Sequence, residues 1–276
     1  MLAQDAEIMN KYLKSTVIIL LVWHRHCDTQ EQMYGITPSI IWKDGIVIEP
    51  RVDFEKRGEQ STELNTLSIF YGITATLELD LSIPLIHETE SHCRRSTHLA
   101  DCFGGLKYLF WYKTFLGGIN DMAVQGFIKV PTGDPHSCVP TGTGSTDITL
   151  TFAARHASIR NYAFFSIGAT RTGTYQGLKY GNSLLINTTW LTRLRRPVDY
   201  EHLDFVSGVE LDLEIDASTK IEDKKVPDTN AIIWYGGPSL FIAYKNVTFK
   251  GIVQAPMLKR HANNQYRFAI AMDASF

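Results

Sequence analysis

From about residue 45 to the C-terminus, hydrophobic and polar residues alternate with a period of two. Ile73, Ala75, Leu77, Leu79, Leu81 and Ile83 fall on one side of their segment; Thr74, Thr76, Glu78, Asp80 and Ser82 fall on the other. Successive side chains of a β-strand point to opposite faces, so this spacing predicts a strand with one apolar and one polar face. Three further segments repeat it. Ile148, Leu150, Phe152 and Ala154 oppose Asp147, Thr149, Thr151 and Arg155, and Val209, Leu211, Leu213 and Ile215 oppose Glu210, Asp212, Glu214 and Asp216. In the last, Tyr266, Phe268, Ile270, Met272, Ala274 and Phe276 oppose Gln265, Arg267, Ala269, Ala271, Asp273 and Ser275. Weaker alternation predicts strands over 45–56, 62–71, 102–112, 119–131, 161–171, 183–194, 231–244 and 247–256, making twelve in all with no helical period among them.

The connections sort by length. Short ones fall at Gly72, 113–118, 157–160, 195–200 and 245–246; long polar ones fall at 84–101, 132–145, 172–182, 215–230 and 257–264. On the long-loop side only the connection near Arg57 to Ser61 is short. An even strand count with short turns on one rim and long loops on the other is the pattern of an outer-membrane barrel. The expected fold is therefore all-β, an antiparallel up-and-down transmembrane β-barrel of about 12 strands, with both termini on the periplasmic side. Its apolar sets would meet lipid, and their strand-end aromatics Tyr71, Phe152, Tyr266 and Phe276 suit the two interfacial girdles. The opposed sets then line the lumen with Glu78, Asp80, Asp121, Lys129, Asp147, Arg155, Glu210, Asp212, Glu214, Lys250, Arg267 and Asp273. A soluble β-sandwich would turn the same faces the other way, charges outward.

Composition changes this picture little, because it averages over the alternation. The chain has 276 residues, 44% hydrophobic and 20% charged, with a formal net charge of -2, which on averages alone resembles a soluble protein. Such a balance lacks the basic surface that nucleic acid requires, so no nucleic-acid partner is expected. The longest apolar run, Val17 to Trp23, falls short of the roughly 20 residues of a spanning helix. It follows Lys11 and Lys14 in the layout of a secretory signal, although His24-Arg25-His26-Cys27 lacks the small residues of a cleavage site. The chain thus divides into a signal segment over 1–27, an N-terminal periplasmic or plug segment over 28–44, and the barrel over 45–276. Within the middle segment, Ile36 to Trp42 is apolar except for Thr37 and Ser39, and is expected to fold inward or pair at the rim.

The last strand, Tyr266 to Phe276, resembles the C-terminal signature of Gram-negative outer-membrane proteins, which ends in Phe and is read by the barrel-assembly machinery. More narrowly, Tyr71-Gly72-Ile73-Thr74 with Ile83-Pro84, then Pro131-Thr132-Gly133-Asp134, Gly142-Thr143-Gly144-Ser145-Thr146-Asp147 and Gln254-Ala255-Pro256 follow one another in a family-like order. In this the chain is similar to outer-membrane transporters labelled as components of the meta-pathway of phenol degradation. It departs from them at Asp101-Cys102-Phe103-Gly104-Gly105, where the family has a Gly-Asp pair. The resemblance implies a channel or transporter in the bacterial outer membrane for small solutes, apolar or aromatic compounds among them, through a polar lumen. Its partners would be outer-membrane lipid, the barrel-assembly machinery and a small-molecule solute. No cofactor is implied.

Other chemistry finds weaker support. Gly142-Thr143-Gly144-Ser145-Thr146 lacks the lysine and helix of a phosphate loop. His87, His92, Cys93, His98, Cys102, His136 and Cys138 gather in two successive outer loops without the spacing of a metal site, so no metal is expected. Cys93 with Cys102, or either of them with Cys138, is the candidate disulfide. His156 and His202 have no nucleophile elbow to serve, and no catalytic residue is assigned. The row Glu210, Asp212, Glu214 and Asp216 would favour cations if open to the lumen, or be neutralised there by Lys129, Arg155, Lys250 and Arg267. A non-transporting barrel acting through its extracellular loops is the alternative function.

Overall fold

The computed structural model describes residues 36–57, 60–89, 96–135, 141–194, 203–262 and 264–276; the expected signal segment over 1–27 lies outside them. In chain order the strands are β1 (Ile46–Arg57), β2 (Gln60–Gly72), β3 (Leu77–Thr89), β4 (Ser96–Leu99), β5 (Cys102–Phe115), β6 (Gly118–Val130), β7 (Asp147–Ser158) and β8 (Asn161–Arg171). They continue as β9 (Leu178–Lys179), β10 (Ser183–Arg193), β11 (Asp204–Asp216), β12 (Lys220–Ile221), β13 (Lys224–Lys225), β14 (Ala231–Tyr244), β15 (Val247–Arg260) and β16 (Asn264–Ser275). The twelve long strands form one antiparallel sheet in which β1 pairs with both β2 and β16, so the sheet closes on itself. Closure removes the edge that an open sheet would expose. The twelve expected strands are these twelve.

The two faces are sorted as in a membrane protein. Tyr108, Ile128, Leu150, Trp190, Val209, Trp234, Val253 and Ile270 are exposed, while Glu78, Asp80, Asp121, Glu210, Asp212, Lys250 and Asp273 are buried. A soluble sandwich has the reverse arrangement, since burying charge beneath a wet apolar surface would cost free energy on both counts. With hydrocarbon outside, the same arrangement satisfies both faces.

Several boundaries differ from the periodicity. Ile73–Thr76 forms the turn into β3, with the amides of Ile73 and Thr74 donating to the Leu77 carbonyl at 2.9 and 3.1 Å. β3 then runs past Ile83 to Thr89, so much of the expected loop at 84–101 is strand. Pro84 sits where the partner of β3 changes: Ser82 opposes Phe103 of β5, and Leu85 opposes Leu99 of β4. Proline has no amide to donate, and its carbonyl accepts from Ala100 at 2.9 Å across the irregularity. β15 continues to Arg260, so the outer connection expected to be long is tight. The inner connection between β10 and β11 is the longer one, spanning residues 194–203.

The interior is not uniformly polar. Ala157, Tyr162, Phe164, Leu191, Val206 and Phe241 form a buried apolar cluster near the short-turn rim, with Ile119 packed against it. A smaller one joins Ile252, Ala269 and Ala271.

Candidate functional site

The inward faces of the strands carry ion pairs whose members come from neighbouring strands. On β11, β15 and β16, Arg267 bridges Asp212 and Glu214. Its guanidinium lies 3.9 Å from the Tyr235 ring centroid, and its Nε donates to Gln254 Oε1 at 2.6 Å. Gln254 in turn donates to Asp212 Oδ2 at 2.7 Å, Asn187 also donates to Asp212, and the Tyr235 hydroxyl reaches Glu55 at 3.3 Å. Glu210 is buried beside this group, and its backbone carbonyl accepts from Gln254. Of the expected acidic row, Asp212 and Glu214 thus share the single guanidinium of Arg267.

Two more groups complete the circuit. Lys250 on β15 bridges Glu49 of β1 at 2.8 Å and Asp273 of β16 at 2.7 Å. On the opposite wall Lys107 pairs with Glu78, Gln125 donates to Asp80, and Arg155 Nε donates to Asp121 Oδ1 at 3.0 Å. Nearer the short-turn rim, Arg193 pairs with Asp204 at 2.8 Å. Glu49, Lys107, Gln125, Asn187, Arg193 and Tyr235 were not singled out from the sequence, and Gln254 only as part of the 254–256 motif. Their strands alternate less cleanly, because apolar residues such as Val47, Leu191 and Phe241 share the inward face.

The N-terminal segment meets this interior. Thr37 and Ile41 are buried, and the Ile41 amide donates to Glu78 Oε2 at 2.6 Å, so the carboxylate that pairs with Lys107 also holds the chain. The next residues stay at the rim, where the Asp44 amide donates to the Gly72 carbonyl at 2.7 Å. A Cβ on Gly72 would stand 2.0 Å from the Trp42 carbonyl oxygen. Within 36–45 the chain is thus bonded at the short-turn rim, through Ile41 to the inward-facing Glu78 and through Asp44 to Gly72.

The motif segments Pro131–Asp134 and Gly142–Asp147 form a clasp at the long-loop rim. Asp101, just before β5, is buried and accepts from the Gly133 amide at 3.1 Å and the Thr143 amide at 2.9 Å. Lys129 bridges Asp101 at 3.1 Å with Asp147 and also bonds Thr143. Thr132 Oγ1 donates to the Ala100 carbonyl at 2.7 Å and accepts from the Cys102 amide at 2.9 Å. The glycines follow from this crowding. A Cβ on Gly142 would come 2.3 Å from Asp101 Oδ1, and Gly144 has φ 68° with the Tyr175 ring against it. Asp147 Oδ1 accepts from the Gly173 amide at 2.9 Å, tying in the next outer connection. The amides that a phosphate loop would offer are thus turned partly onto Asp101. Asp101 belongs to the stretch that departs from the family pattern.

The remaining candidates are placed as follows. His87 Nδ1 lies 2.9 Å from Thr97 Oγ1 across β3 and β4, and His98 is on β4. His92, Cys93, His136, Cys138 and His202 lie outside the described residues, and Cys102 is a free thiol. Among the described residues no three metal-binding side chains come together. His156 bonds Asn120 at 2.6 Å and stacks on Phe115. Phe276 exchanges backbone hydrogen bonds with Ile46 at 2.8 and 3.2 Å, at the seam where β16 meets β1.

No protein-family model matches the chain, and no curated protein matches it in sequence. Solved structures do match in shape. An outer membrane channel from Pseudomonas putida F1 superposes with a TM-score of 0.70 at 10% identity, over 89% of this chain and 100% of that one. More distant likenesses are the KdgM porin in complex with disordered oligogalacturonate (TM-score 0.48, 11% identity, 83% of this chain and 99% of that one) and the translocator domain of the autotransporter NalP from Neisseria meningitidis (TM-score 0.42, 9% identity, 99% and 97%). The fold is that of an outer-membrane β-barrel.

Proposed function

We propose that this barrel is an outer-membrane channel for small solutes, closed in the state described here and opened by movement of its N-terminal segment. The observation that carries the reading is the tether of Ile41 to Glu78, which ties the N-terminal segment to an inward-facing, ion-paired carboxylate at the short-turn rim. The P. putida protein of the same fold is described as a channel, which supports the reading. No catalytic step is part of it. The interior charges of β3, β6, β7, β11, β15 and β16 are the polar part of the solute path.

Apolar or aromatic solutes fit this interior better than sugars alone. Phe103 lies directly opposite the inward-facing Lys129, so it too faces inward, and it is 38% exposed near the long-loop rim. Below it the apolar cluster around Phe164 and Phe241 offers a second non-polar surface. The similarity of the 131–147 motifs to transporters of the phenol meta-pathway label points to the same solute class. Phe276, at the closing seam, is the residue we assign to recognition by the assembly machinery.

Planar-bilayer conductance and liposome swelling test the proposal. Wild-type protein is expected to conduct rarely, and Gly72→Val, which crowds residues 41–42 off the rim, is expected to raise open time severalfold with greater flux of aromatic acids. Absence of current and flux in both refolded proteins would leave the structural-barrel alternative.

A further inference from the structure

The outer connections over 172–182 and 217–230 build a small sheet of their own, β9, β12 and β13. In its register Lys220 lies directly opposite both Lys179 and Lys225. Directly opposed residues share a face with Cβ atoms about 5 Å apart, and like charges so placed repel. Among the described residues none of their three side chains has an ion-pair or hydrogen-bond partner, unlike those of Lys107, Lys129 and Lys250 in the interior.

The sheet is also held at a backbone cost. Gln176 at φ 48°, Glu222 at φ 47° and Asp223 at φ 64° occupy the left-handed region at the two turns that shape it. Glycine would do this freely, whereas such conformations in other residues persist where the surroundings fix them and often mark functional sites. A repelling row on a strained frame is the arrangement expected where a multivalent anion supplies the missing charge.

The rim beneath shows where that anion comes from. Arg171, at the end of β8, opposes the lipid-facing Ile148, and Arg260 ends β15 two residues above the lipid-facing Leu258. Both arginines therefore point outward just above the apolar belt, Arg171 where the first connection of the lysine sheet leaves β8 and Arg260 on β15, beside the β14 strand to which its second connection returns. A soluble anion bound for the lumen is disfavoured, since the inward face carries more carboxylates than cations, Asp53, Glu55 and Asp216 adding to the pairs above. Glu222, Asp223 and Asp228 lie in the same connection but form no ion pair with the three lysines.

We infer that the lysine row of β9, β12 and β13, with Arg171 and Arg260, binds the phosphate groups of an outer-leaflet glycolipid. This rests only on the outer-membrane barrel and not on the channel reading. The test is co-purification of the refolded full chain, in detergent, with purified lipopolysaccharide, against the same lipid enzymatically dephosphorylated and against inorganic pyrophosphate as a soluble competitor. Wild-type protein should retain the phosphorylated lipid at least tenfold better than the dephosphorylated one, and lose it as salt rises. The triple variant Lys179→Gln/Lys220→Gln/Lys225→Gln should lose that preference while keeping heat-modifiable gel migration, the sign of an intact barrel. Arg171→Gln/Arg260→Gln, which leaves the loop sheet alone, should weaken it severalfold. Equal retention of both lipids, or an unchanged preference in the triple variant, would overturn the inference. So would pyrophosphate displacing the lipid at equimolar concentration, which would make the row a soluble-anion site.

Discussion

Three interior cations each bridge two carboxylates: Lys129 joins Asp101 and Asp147, Lys250 joins Glu49 and Asp273, and Arg267 joins Asp212 and Glu214. Removing such a cation leaves two buried negative charges facing each other, whereas removing one carboxylate leaves a pair. Breaking a buried pair costs about 3–5 kcal/mol. Lys250→Met should therefore destabilise the barrel by about that amount and by more than Glu49→Gln, read from urea unfolding of the refolded protein by tryptophan fluorescence. Equal losses would mean that Asp273 finds another partner. Of this group, Asp273 was legible in the sequence because the alternation of β16 is unbroken, and Lys250 was read from the weaker alternation of 247–256. Glu49 was not, since its inward neighbour Val47 is as buried as the charges and hides the polar row. Partner choice was beyond the sequence altogether. Lys250 and Glu49 come from opposite ends of the chain, and only closure brings them together.

Among the elements, the outer connections separate by how they are held. The 131–147 clasp depends on backbone close to Asp101, and Gly142→Val would force apart the Asp101 carboxylate that binds both halves of the loop. Its expected effect is faster proteolysis within residues 131–146, with gel migration of the barrel unchanged; resistance equal to wild type would show that Lys129 and Thr132 hold the clasp without Asp101. The glycines of this loop stood out in the sequence, and the crowding around them supplies their reason. The β9, β12 and β13 sheet did not stand out. Its turns put Gln176, Glu222 and Asp223 where glycine or asparagine is the usual signal, and two-residue strands carry no period. The end of β15 was misread for a related cause. Pro256 reads as a strand terminator, but it lies beside the register shift between Trp234 and Tyr235, where a missing donor is tolerated.

For the whole molecule, the question is what solvent the outer face meets, and depth along one strand answers it. On β15, Val253 is 56% exposed at mid-strand and Leu258 is 55% exposed near the long-loop rim, while Gln254 between them is fully buried. If hydrocarbon surrounds the barrel, a lysine at the midplane costs about 2–4 kcal/mol and one near the interface about 0–1. If water surrounds it, either substitution at so exposed a site falls within about 0.5 kcal/mol. Val253→Lys is therefore expected to destabilise the protein refolded in phospholipid vesicles by about 2–4 kcal/mol, and Leu258→Lys by much less, in urea titrations of the same preparation. Exposure is nearly equal at the two sites, so the difference between them reports the medium and not packing. Two small and equal effects would return the chain to a soluble fold, in which the inward charges of β11 and β15 would have no reason to avoid the surface.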